Sequence, residues 1–259
     1  MTPDELLHIA LDLVDMGAQR GVTLRLLGSL GARAHSRESA ALLDVLGREP
    51  THDIDFMGYS SQQAQATRMF RELGYEPDPS VAFSQEYGIQ RLIFHRPSDQ
   101  LMVEIFLDVL RMAHTLDFRG RLELDSPSVS LVDLLLSKLQ IQQITEKDIK
   151  DMIALLAEHE LSSDGREVIN VPYLLDLTSH QWGLFHTART NLAIVSDSAE
   201  RTSQLDPQTR QQVRAKIGEL IGQMDAAPKS LRWRLRSAIG TRVRWYDQVD
   251  DVHRGGFGA

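Results

Sequence analysis

The chain is 259 residues long, 42% hydrophobic and 25% charged, with a formal net charge of −8; at about 150 residues per domain this makes one elaborated domain or a main domain with a smaller companion, and the composition excludes a largely disordered chain. Cysteine is absent, which excludes a disulfide framework, thiolate metal ligands and a cysteine nucleophile. No apolar run approaches the roughly 20 residues of a membrane span, and the acidic start MTPDELL lacks a basic region before an apolar stretch, so a cytoplasmic protein with no membrane partner is expected.

In chain order, residues 3–20 carry Leu6, Ile9, Ala10 and Leu13 at helical spacing and end near Gly21. VTLRLLG at 22–28 reads as a strand stopped by Gly28, and Ser29 as the N-cap of a helix that runs until Pro50 breaks it. THDIDFMG at 51–58 alternates as a second strand. Residues 60–74 predict a helix capped by Ser60 or Ser61 and closed by Gly74. Strands are expected at 89–95 and 101–110. After Pro127 the pattern turns helical: SLVDLLLSKLQIQQ, EKDIKDMIALLAEH, 171–195 and 206–226, with no strand from 161 onward. The SSDG loop places a boundary between 161 and 171, giving expected domains of 1–165 and 166–259.

The chemistry concentrates in two neighbouring segments. On a strand alternate side chains share a face, so Asp53 and Asp55 point one way while Ile54 and Phe56 point into the core. Two carboxylates so held repel each other unless a cation joins them, and hard oxygen ligands of this kind suit Mg²⁺ together with substrate phosphates. Gly28-Ser29, at a strand-to-helix turn, offers backbone N–H groups and a helix N-terminus to a phosphate. In LMVEIFLDVL, Glu104 faces away from Val103 and Ile105 and is the candidate third acid, with Asp108 at the strand end as its rival. Three such acids can hold two metal ions about 4 Å apart, which clamp the attacking and leaving oxygens of a phosphoryl displacement.

GSLGARAHS followed by HDIDF, then VEIF and the helical LLLSKLQ…EKDIKDMIALL, resembles the DNA polymerase β-like nucleotidyltransferase superfamily: within it, uncharacterised bacterial nucleotidyltransferase-fold proteins and, more distantly, the AbiEii-type toxin group. The resemblance covers residues 22–160 and extends weakly through QWGLFHTARTNL and WRLRSAIGTRVRWY. It implies an α+β fold, a mixed β-sheet with flanking helices followed by a helical C-terminal region. It also implies Mg²⁺ and transfer of a nucleoside monophosphate from an NTP to an acceptor hydroxyl. Gly28 and Ser29 would then hold the triphosphate, Asp53 and Asp55 the metals. Glu104 stands where the family usually has Asp, the acid that activates the attacking hydroxyl. Lys138 resembles a helical lysine that contacts nucleotide phosphate in the toxin-like proteins, which also use an acid near Asp148. The chain departs from the family in the longer segment between Gly28 and Asp53 and in the Glu at the third position, both of which favour a nucleotide-binding, catalytically weakened protein as the alternative.

The remaining residues read in two ways. Lys138 lies on or beside the apolar stripe of its helix, so its charge either snorkels to the surface or meets an anion across a cleft. Thr145-x-x-Asp148 is a capping arrangement, and Lys147 and Asp151 stand at i,i+4. Arg33, on the helix after Ser29, and Arg91, beside the acidic strand, are candidate phosphate contacts. The nine histidines show neither HxxxH nor HxH spacing, so no zinc site is expected, and no Gly-x-Ser-x-Gly occurs. Residues 229–259 hold seven basic residues (Lys229, Arg232, Arg234, Arg236, Arg242, Arg244, Arg254) against Asp247, Asp250 and Asp251. Through 229–246 the arginines interleave with Trp233, Trp245 and Tyr246, which suits RNA contact as in a tRNA-modifying toxin, or an amphipathic helix that packs its aromatics on the domain. The acceptor is a small molecule, RNA or protein; the sequence does not select among them.

Overall fold

The computed structural model describes residues 1–35, 37–79, 91–165 and 167–248. The first two residues of the strand expected at 89–95, and Asp250, Asp251 and Arg254 of the basic segment, lie outside them. Helix α1 (Pro3–Gln19) opens on a capping box in which Thr2 accepts from the Glu5 amide and Glu5 from the Thr2 amide. Its Leu6, Ala10, Leu13 and Val14 recur at helical spacing and are buried.

Five strands form a mixed sheet in the order β1 (Arg25–Leu26), β2 (Asp53–Gly58), β5 (Leu101–Leu107), β4 (Arg91–Arg96), β3 (Glu76–Pro77). β2 and β5 run parallel and the other neighbours antiparallel. Ile54 and Phe56 of β2, Leu92 and Phe94 of β4, and Val103, Ile105 and Leu107 of β5 pack with α1 and with Ala66, Met69 and Phe70 of α4 (Gln63–Glu72). The opposite alternation, Asp53, Asp55, Glu104 and Phe106, is left for the second face.

Around that second face lie α2 (Gly28–His35), α3 (Arg37–Val45), α5 (Leu131–Leu139) and α6 (Glu146–Glu158). A second apolar cluster runs from Leu27 through α5 and α6 to Met224, taking in α7 (Val171–His180), α8 (Trp182–Arg201) and α9 (Pro207–Ala226). The chain is thus α+β, with a mixed five-stranded sheet and a helical C-terminal region. Among the described residues no helix is long and apolar enough to cross a membrane.

Several boundaries differ from the sequence reading for physical reasons. The strand expected at 22–28 pairs only at Arg25–Leu26, because the Thr23 amide is taken by Gln62 Oε1 at 2.7 Å. Ser29 is not an N-cap: the helix begins at Gly28 (φ 61°), and Ser29 sits inside the first turn. The stretch up to Pro50 forms α2 and α3, with Ser36 between them outside the described residues. Helix α3 stops before Pro50 on a Schellman turn at Gly47 (φ 61°), whose amide bonds Asp44 O while that of Arg48 bonds Leu43 O.

The expected strand 101–110 breaks at Asp108 (φ 62°); beyond it β6 (Val109–Arg111) pairs with β7 (Thr115–Asp117). Asp108 accepts from the Ser60 amide at 3.1 Å and from its hydroxyl, so it anchors the turn into α4 in place of a Ser60 or Ser61 cap. Past residue 161 the helical reading holds apart from a parallel pair, β8 (Glu160–Ser162) with β9 (Val168–Asn170). Three-residue strands are too short to show a period of two. The helix expected at 171–195 divides at the extended Gln181 and runs on to Arg201.

Candidate active site

The site is assembled by register. Asp55 on β2 pairs with Glu104 on β5 in the parallel ladder, and Asp53 lies two residues back on the same face. The Leu27 amide donates to Asp55 O at 2.9 Å, which ties the start of α2 to the same strand. Gly28 follows in the left-handed region, where a Cβ would sit 3.7 Å from Asp55 Oδ2. The turn therefore brings backbone against a carboxylate, and its φ favours glycine whatever the space. Ser29 is buried beside it.

The electrostatics are those of crowded acids. Burial first, then the charges of Asp53 and Glu104, push the Asp55 carboxyl up to about 8, with Lys138 pulling the other way. Asp53 accepts a hydrogen bond from the Thr51 hydroxyl. Glu104 is buried and accepts from Arg91 Nη1 at 2.8 Å. Arg91 stands opposite Phe106, one step diagonally from Glu104. Its Nε is buried and has no partner among the described residues.

Helix α5 is apolar on nearly every side, with Leu131, Leu134, Leu135, Leu136 and Leu139 all buried, so Lys138 in its last turn cannot easily reach water. Its ammonium lies 2.9 Å from Asp148 and 3.0 Å from Asp151 on α6. Burial works against its charge, but Asp151 and then Asp148 more than compensate and raise its pKa above the ordinary lysine value. Asp148 also closes the expected capping box with Thr145. Despite its burial, Lys138 and the Thr145 bonds hold its carboxyl below the usual range.

The structure thus brings Gly28, Ser29, Asp53, Asp55 and Glu104 to one end of the β2–β5 pair and places Lys138 within electrostatic reach of Asp55, with Asp148 behind the lysine. Arg33 is buried and donates to Asp44 on α3 at 2.6 Å, a bond that fastens α2 to α3. Asp108 is occupied at Ser60. The i,i+4 pair expected between Lys147 and Asp151 does not form: Lys147 meets Glu49 at 2.9 Å. Asp151 is 1% exposed and is shared by Lys138 and by Arg48, whose Nε donates to it at 2.9 Å. Arg48 carries no signal in the sequence; the Schellman turn at Gly47 delivers it.

At the C-terminal end the aromatics are packed rather than presented. Trp233, on α10 (Leu231–Ile239), meets Phe185 edge-on at 5.2 Å, and Trp245 meets His186 at 4.9 Å. Leu231, Leu235, Ile239 and Val243 remain exposed.

No family model matches the chain, and no curated protein matches it in sequence. Among solved structures the chain is similar to the lincomycin-bound lincosamide antibiotic adenylyltransferase LnuA, at 17% sequence identity and a TM-score of 0.34, over 60% of this chain and 96% of that one.

Proposed function

We propose that the chain is a Mg²⁺-dependent nucleotidyltransferase that moves a nucleoside monophosphate from an NTP to an acceptor hydroxyl. The observation that carries this reading is the side-by-side placement of Asp53, Asp55 and Glu104 against the glycine turn that opens α2. The donor set fits the ion: three carboxylates, one of which burial and then its neighbours' charges push up to about 8, are hard oxygen ligands whose charge a cation compensates. Asp53, Asp55 and Glu104 would hold Mg²⁺, which when bound supplies charge neutralisation and polarises phosphate oxygens.

The chain's own groups do the rest. The first-turn amides of α2, from Ser29 onward, receive the triphosphate, and Gly28 lets it approach the backbone closely. Lys138, kept charged by Asp148 and Asp151, adds positive potential beside Asp55. Glu104 accepts the proton of the attacking hydroxyl, and Arg91 sets the orientation of that carboxylate. Positioning and charge stabilisation supply most of the rate in such transfers. The acceptor is a small molecule, an RNA or a protein. RNA contact through 229–246 would rest on exposed arginines such as Arg232 and Arg234 and would weaken with added salt.

The test is transfer of label from α-labelled NTPs, with Mg²⁺, to acceptors in a cell lysate. Asp53→Asn and Asp55→Asn should abolish labelling; labelling that survives both substitutions sinks the mechanism. The Arg91–Glu104 ion pair favours a second reading, a nucleotide-binding protein with weakened catalysis, because it occupies the acid meant to act as base. Mg²⁺-dependent NTP binding without pyrophosphate release would select that reading.

A further inference from the structure

Where α7 gives way to α8, a cavity of about 420 Å³ opens beside α10. Its walls carry Trp182, Trp233 and Trp245, the chain's three tryptophans, together with Arg232, Arg236 and His114. No carboxylate lines it among the described residues, in a chain whose formal net charge is −8. Arg232 is exposed and makes no ion pair or hydrogen bond among the described residues. Arg236 stands over the Trp182 ring at 4.7 Å and donates to backbone carbonyls, Gly240 O at 2.7 Å and Val243 O at 2.8 Å. Neither guanidinium is neutralised by an acid, so the cavity is positive.

The start of α8 adds to that potential. Gln181, its N-cap, makes no side-chain cap, and no acid stands in the first turn. The amides of Trp182, Gly183 and Leu184, residues of the cavity wall, bond to nothing among the described residues. They are the positive end of a helix 20 residues long. A Cβ at Gly183 would sit 2.5 Å from Trp245 O, so only glycine lets the C-terminal segment lie this close to the helix start.

An independent observation comes from His114, in the turn of the β6–β7 hairpin and 7% exposed. Thr187 Oγ1 accepts from Trp245 Nε1 at 3.1 Å and lies 2.9 Å from His114 Nε2. The Thr187 hydroxyl proton has no other acceptor among the described residues, so it is donated to Nε2. Burial, opposed by Asp247, pushes the ring's pKa down to about 4 and keeps it neutral, so its one proton sits on Nδ1. That N–H makes no hydrogen bond among the described residues, and it lies 3.6 Å from where a Gly183 Cβ would stand. A donor on a nine-tenths-buried ring is thus turned toward the start of α8 without an acceptor.

We propose that this cavity binds a planar ring carrying an oxyanion, a ligand of nucleoside-monophosphate size. The indoles offer the ring stacking surfaces, and a cavity of about 420 Å³ holds one such molecule. Arg232, the α8 amides and His114 Nδ1–H present donors alone, which is what an oxyanion takes. This chemistry has two sources, a free nucleotide and the terminal nucleotide of an RNA. The site is built from other elements than Asp53, Asp55 and Glu104 and does not rest on the reading of their function.

The test uses the full chain carrying Asp53→Asn and Asp55→Asn, in chelator without Mg²⁺, and reads tryptophan fluorescence. That signal reports on this cavity, because all three tryptophans line it. Titration with AMP, GMP, CMP and UMP should give saturable quenching by at least one of them. The matching nucleoside and inorganic phosphate should each bind about fivefold or more weakly, since each lacks one half of the contacts. Arg232→Ala and His114→Phe should weaken the nucleotide by about the same factor. Arg232 is exposed, so that variant folds even if His114→Phe does not. A short RNA ending in the same nucleotide assigns the site to RNA ends if it binds tighter than the monophosphate, and to free nucleotides if it does not. Quenching by none of the four, or a loss of less than about fivefold in the nucleoside, phosphate or Arg232→Ala comparison, overturns the proposal.

Discussion

Asp55 on β2 stands directly opposite Glu104 on β5 in a parallel ladder, so two carboxylates share one patch of sheet. The fold tolerates this by keeping a proton on Asp55 well above the usual carboxylate range. An acid whose folded pKa lies near 8 and whose unfolded pKa lies near 4 binds more protons folded than unfolded between those limits. Its contribution to stability is therefore complete below about pH 4 and is lost as the pH rises to about 8. Asp55→Asn should accordingly stabilise the chain most at pH 8 to 9 and least near pH 4, with the gap in melting temperature widening between. Added Mg²⁺ should raise the melting temperature of the parent at pH 8 and not that of Asp55→Asn, on the proposed reading of the site.

The opposite limb of the pH profile belongs to His114. Burial depresses its pKa to about 4, with Asp247 opposing, and its ring meets the Thr187 hydroxyl at 2.9 Å. The unfolded chain takes up this proton near pH 6.5 and the folded chain only near 4, so stability is lost as the pH falls through that window. His114→Gln should flatten the decline in melting temperature between pH 6.5 and 4. An unchanged slope would place the acid sensitivity elsewhere.

Asp151 is the hinge of the buried charges, shared by Lys138 and Arg48. Asp151→Ala takes its carboxylate from Arg48 and one of two from Lys138, and should cost about 3 kcal/mol in denaturant unfolding, as breaking one side of a buried ion pair does. Asp148→Ala should cost less, about 1 to 2 kcal/mol, since it removes a helix cap and one of the lysine's two anions. The order of the two losses checks the geometry independently of any activity.

Gly31 is fixed by packing instead of conformation. A Cβ there would meet Leu134 Cδ2 at 2.7 Å and Leu26 O at 3.1 Å, so α2 cannot lie so close to α5 and β1 with a larger residue. Gly31→Ala should destabilise by about 1 to 3 kcal/mol through overpacking, and on the proposed reading it should lower NTP affinity by moving the start of α2 away from Asp55. Gly28→Ala, with φ at 61°, should cost about 1 kcal/mol from the left-handed backbone and, on the proposed reading, weaken NTP binding.

The parts of this arrangement that were legible in the sequence are those fixed by local period. Asp-Ile-Asp-Phe announces its own two faces, Gly28 marks a turn, and Thr145 with Asp148 writes out a cap. What no local period contains is the register that sets Asp55 opposite Glu104, because β2 and β5 are joined by a crossover holding α4, β3 and β4. The partners of Lys138 were open for the same reason: an ammonium on an apolar helix needs an anion, but only the packing of α5 on α6 says that Asp148 and Asp151 supply it. The contact of His35 with Glu167 at 3.1 Å is the extreme case, since the two residues are 132 positions apart.

The central place of β5 has a dynamic consequence. This strand is bonded on both edges, to β2 and to β4, and carries Glu104 between Val103 and Ile105 of the core. Its amides bond alternately to β2 and to β4, so the strand as a whole exchanges only when both neighbours have come away, and its slowest amides should track global unfolding. The outer strand β1 pairs with β2 over two residues, and Leu26 is bonded on its other edge to Pro127 and Val129. The acidic strand, held between two neighbours, is thus the fixed wall of the site, and any opening of the sheet starts at its two-residue outer strands, β1 and β3.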